Sequence, residues 1–128
     1  MKNLVLALAA VAVFSASALA GGTKGNSSIV VKNCDEFPIA VIVLAEDAKF
    51  PSSEEEFFDQ GGKVLDDFAD KATYRNLKQG NWVIYAAYVF DGEISDFDSY
   101  STELGKNEKQ KFCVFAFDED TPTIEPQE

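Results

Sequence analysis

The chain has 128 residues, with 22 Asp and Glu against 11 Lys and Arg, a formal charge of −11, and no histidine. Such an acid excess repels phosphate backbones and anionic lipid, so no nucleic acid is expected as a partner. The lack of imidazole removes the usual general base, the Ser-His-Asp and Cys-His arrangements and most catalytic zinc sites, so the chain reads as a non-enzyme.

In chain order, residues 1–20 read as a secretory signal peptide of bacterial kind. Lys2 gives the positive start, residues 4–14 an apolar stretch too short to span a bilayer, and Ala18-Leu19-Ala20 a cleavage site. The expected destination is the periplasm or the medium, with no membrane insertion. Removing these 20 residues, one lysine among them, leaves 108 residues with a formal charge of −12, enough for one domain. Residues 21–28, GGTKGNSS, read as a flexible leader.

A domain of β-strands is then expected over 29–117. Residues 29–33 form a first strand and 37–46 a second, apolar on both faces, joined through the polar turn at Asn33 to Glu36 as a hairpin or as a bend that switches sheets. Ser53 followed by Glu54, Glu55 and Glu56 predicts an N-cap and the acidic first turn of a short helix within 53–60. Phe57 and Phe58 would bury one side of it. Residues 63–65 are a short strand, 71–77 a half-exposed one, and Lys78-Gln79-Gly80 a turn into 81–90. This pattern predicts that 71–77 and 81–90 form an antiparallel pair. Residues 81–90, NWVIYAAYVF, alternate Trp82, Ile84, Ala86 and Tyr88 against Val83, Tyr85, Ala87 and Val89. They therefore predict a central strand that needs cover on both sides. Residues 93–98 read as an acidic loop, 99–104 as a strand, 109–117 as the last strand, and 118–128 as a disordered acidic tail.

About seven strands with little helix predict an all-β fold, an antiparallel β-sandwich with Greek-key connections. Residues 73–85, TYRNLKQGNWVIY, resemble a stretch of secreted immunoglobulin-like and transthyretin-like (carboxypeptidase regulatory-like) modules. The resemblance implies that Leu77 plugs the base of the sandwich, Gly80 makes the corner, and Trp82 takes the place of the usual tyrosine. It implies a fold and no activity.

Four candidate features follow from the residues. Cys34 and Cys113, an even pair in an exported chain, are expected to form a disulfide closing a 79-residue loop. Asp91, Glu93, Asp96 and Asp98 offer hard oxygen ligands suited to calcium, without the spacing of an EF-hand. Trp82 and Tyr88, on one strand face, could stack a carbohydrate ring; packing is the competing use of such aromatics. The doubly apolar strands require either residues 47–70 folded over them or a homodimer through a sheet face. The functional expectation is an exported, non-catalytic β-sandwich that binds a protein or carbohydrate or serves a structural role. A calcium-stabilised adhesion or matrix module and a small carboxylate hydrolase are the alternatives.

Overall fold

The computed structural model describes residues 25–116 and 121–127. The expected signal peptide, half of the expected leader (residues 21–24), residues 117–120 and Glu128 lie outside them. Eight strands and one helix follow in the order β1 (Ser27–Asn33), β2 (Ile39–Ala45), α1 (Glu54–Asp59), β3 (Lys63–Leu65), β4 (Lys71–Leu77), β5 (Gly80–Phe90), β6 (Glu93–Leu104), β7 (Lys109–Phe115) and β8 (Thr123–Gln127). They form two four-stranded sheets, β4-β1-β7-β8 and β3-β2-β5-β6. Every strand pair is antiparallel except β1 with β7, which runs parallel.

Period-2 alternation fills the space between the sheets. Ile29, Val31, Ala72, Phe112, Val114 and Ile124 meet Ile39, Val41, Val43, Trp82, Ile84, Ala86 and Leu104 in one core cluster. The central strand holds as expected: β5 lies inside its sheet between β2 and β6. Its second face, with that of β2, is covered by the chain itself. Ala40, Ile42 and Leu44 pack with buried Phe57 of α1, and Ala48, Val64, Tyr85, Val89, Ile94 and Phe97 close around them. Phe50 adds edge-on contacts to Tyr85 and Phe97 at ring-centre distances of 4.8 and 5.1 Å.

The helix that delivers Phe57 starts where the sequence places it. Ser53 Oγ accepts the amide of Glu56, while Glu56 Oε1 accepts the Ser52 amide and hydroxyl. Those bonds, the amide first, hold the Glu56 carboxyl below its ordinary range.

Three expectations are corrected, while at residues 34–38 the bend that switches sheets holds over the hairpin, since β1 and β2 lie in different sheets. For the same reason β4 does not pair with β5: β4 pairs with β1, and residues 78–79 carry the chain across to the other sheet. Asn76 at φ +59 marks a bulge that breaks alternation in β4, and beyond it Leu77 turns into the core.

Residues 93–98 are no loop but the first half of a twelve-residue strand. A bulge lies between the pairs Ala87–Phe97 and Val89–Ile94. There the Ser95 hydroxyl accepts from Tyr88 N and donates to Tyr88 O, both at 3.1 Å, in place of a ladder amide. Ile94 and Phe97 thereby face the same side, which no strict alternation gives. The acidic tail is also ordered over 123–127. Ile124 is buried opposite Val114, and Pro126 sits on an edge strand, where its missing N–H costs no ladder bond. The strand count is accordingly eight.

Candidate functional site

The outer face of the first sheet differs from the rest of this acidic molecule. In β1, Ile29 and Val31 point inward, so Ser28, Val30 and Lys32 point out. In β4, Lys71, Thr73 and Arg75 point out, and in β7, Lys109 and Lys111. Register aligns these residues into rows across strands about 4.8 Å apart. Lys71 stands opposite Lys32; Thr73, Val30, Lys111 and Gln127 form the next row; Ser28 stands opposite Lys109. Together they line a groove of about 380 Å³.

Five of the nine lysines and arginines among the described residues line this groove: Lys32, Lys71, Arg75, Lys109 and Lys111. Among the described residues none of the five forms an ion pair with a carboxylate. Like charges directly opposite across strands are destabilising, by roughly 0.2–1 kcal/mol per pair, so the Lys32–Lys71 pair is unfavourable in the free protein. Lysines on an edge strand deter edge-to-edge aggregation, which accounts for Lys71 and Arg75 on β4. β1 and β7 are interior strands and need no such guard, yet they carry Lys32, Lys109 and Lys111. Between the charges stand the hydroxyls of Ser28 and Thr73 and the amide of Gln127. The lining includes one aromatic ring, Phe112, and it is 1% exposed. The face can thus neutralise and hydrogen-bond an anion, but it offers no surface on which a base could stack.

The residues singled out from the sequence are dispersed. Cys34 and Cys113 form the expected disulfide, with Cα atoms 5.6 Å apart, on the turn after β1 and in the adjacent β7. Asp91 lies in the β5–β6 turn at φ +52, and Glu93, Asp96 and Asp98 lie along β6. Among the described residues no three His, Cys, Asp or Glu side chains are grouped to hold a metal ion.

Trp82 and Tyr88 are 5% and 3% exposed, so neither ring offers a face to a sugar. The Trp82 ring packs in the core between the sheets, and its indole N–H donates to Lys78 O at 2.9 Å. That bond ties the start of β5 back to the backbone four residues upstream.

No family model matches the chain, and no curated protein or solved structure is significantly similar to it. The described residues include no helix long and apolar enough to cross a membrane. The disulfide is compatible with an oxidising compartment outside the cytoplasm.

The cationic face is the feature that reading the sequence missed. Its signal was present as Lys-x-Thr-x-Arg over 71–75 and Lys-x-Lys over 109–111. The three lysine-bearing strands are far apart in sequence, and only their pairing gathers the charges.

Proposed function

We propose that the chain is an exported, non-catalytic β-sandwich module that binds an anionic glycan, one bearing sulfate or carboxylate groups, on the outer face of β4-β1-β7-β8. The observation that carries this reading is the gathering on one face of five cations, none of them ion-paired among the described residues, in a protein whose net charge is −11. A bound anion would relieve the Lys32–Lys71 repulsion, and the hydroxyls and amide between the cations suit sugar oxygens. Screening over a Debye length of about 8 Å at physiological ionic strength lets one face act apart from the acidic remainder. The kinship with immunoglobulin-like modules belongs to the same proposal and is supported by the indole corner at Trp82 and the plug at Leu77.

The test is calorimetric titration of the processed protein with a sulfated oligosaccharide at low and physiological ionic strength. Micromolar binding is expected, weakening with salt, and falling about tenfold in the Lys32→Ser, Lys111→Ser double variant. Equal affinity in wild type and double variant, or no heat at low salt, would refute the site.

A further inference from the structure

A second surface, independent of the cationic face, lies at one end of the sandwich. Among the connections that meet there, β1–β2, β3–β4 and β5–β6 each present a phenylalanine to solvent: Phe37 at 49%, Phe68 at 65% and Phe90 at 52% exposure. Register sets the ends of the strands that bear them side by side. Ile39 pairs with Tyr88, and the Val89 amide donates to Pro38 O at 3.1 Å, which continues the ladder towards Phe37 beside Phe90. Ile39 also pairs with Leu65, so the segment bearing Phe68 leaves the sheet on the other flank of Phe37.

These segments are held in place from within. Asn33, fully buried, donates from Nδ2 to Phe37 O and Leu65 O, each at 2.9 Å, and its Oδ1 accepts the Asp35 amide. Its backbone also brackets the far side of the β3–β4 segment: Asn33 N donates to Asp70 O at 2.8 Å, and Asn33 O accepts the Ala69 amide at 2.7 Å. Ala69 is held at φ +75, a left-handed conformation that is unfavourable for a non-glycine residue. The disulfide anchors the same end through Cys34, and Asp35 Oδ2 accepts the Ala116 amide. Three large apolar side chains are thus exposed on a preorganised frame, where burial in the core would have been the default.

Charge selects what can cover them. The three segments read Cys-Asp-Glu-Phe-Pro, Asp-Asp-Phe-Ala-Asp and Phe-Asp-Gly-Glu, with no lysine or arginine in any. A second copy meeting this end with its own would oppose carboxylate to carboxylate, and an anionic bilayer is repelled for the same reason. We infer that this end docks a protein partner whose contact surface has an apolar centre and a lysine- or arginine-rich rim, with Phe37, Phe68 and Phe90 as the anchors.

The probe is a synthetic amphipathic helix of leucine and lysine, compared by calorimetry with a leucine-to-serine peptide of equal charge and a lysine-to-glutamate peptide of equal apolarity. The leucine–lysine peptide is expected to bind about tenfold tighter than either. The Phe37→Ser, Phe68→Ser, Phe90→Ser variant is expected to lose that preference, whereas Lys32→Ser, Lys111→Ser keeps it. Phe68→Ser alone, the most exposed of the three, is expected to lose part of it with no change in melting temperature, which serves should the triple variant fold poorly. An unchanged preference in both phenylalanine variants overturns the inference. So does a concentration-dependent dimer in sedimentation that the triple substitution abolishes, or phenylalanine-dependent binding to neutral vesicles.

Discussion

The two outer faces of this sandwich follow opposite rules. That of β3-β2-β5-β6 is apolar and roofed by α1, Phe50 and Phe97, whereas that of β4-β1-β7-β8 is cationic and bare. The difference lies in the strands. β2 is buried along its length, Ile39 to Leu44 without a break, so both of its faces demanded cover and residues 46–62 supply it. β1, β4 and β7 put Ser28, Lys32, Lys71, Thr73, Arg75, Lys109 and Lys111 on the outward side, with Val30 the apolar exception, and needed none. A face that the fold has no reason to leave charged is the better place to look for a ligand.

Three measurements would break or sharpen that contrast. The largest effect is expected at the roof. Phe57→Ala removes the buried ring over Ala40, Ile42 and Leu44 and should cost about 3–5 kcal/mol in denaturant unfolding. A loss below about 1 kcal/mol would mean that the helix rests on the sheet without sealing it.

An intermediate effect belongs to pH. Tyr74 on β4 donates its hydroxyl to Gly61 O at 2.8 Å, just beyond α1, and burial raises its pKa above the usual tyrosine value. A folded-state pKa above the unfolded one means that the stabilisation is whole below about pH 10 and is lost as pH rises through the folded value. The protein should therefore lose stability above about pH 10 faster than Tyr74→Phe does. Parallel alkaline curves would refute this.

The smallest effect is expected on the bare face. Lys71→Glu turns the like-charged Lys32–Lys71 pair into an opposite one and should raise stability by roughly 0.2–1 kcal/mol, while weakening binding of the sulfated oligosaccharide. A gain in stability with no loss of binding would separate the charge pattern from the ligand.

Local patterns carried much of the fold. The strand over 81–90, the Ser53 cap, the 63–65 strand and the cysteine pair all follow from residues near one another or from simple counting. The departures share a physical origin in pairings that local sequence does not encode. The bulge at Ser95 hid half of β6 inside an acidic stretch, and β8 is a strand only because β7 offers it an edge. The aromatic pair Trp82 and Tyr88 was visible as a pair, but that its face turns towards the other sheet was not.

By itself the sequence determined the β-rich character, the disulfide, the helix start and the need of β2 and β5 for a second cover, because alternation, capping and cysteine number are local or compositional. The tertiary structure decided which strands are neighbours. Neighbour choice gathered five scattered cations into a groove and three separate phenylalanines at one end, since charge density and apolar area are properties of a surface and not of a stretch of chain.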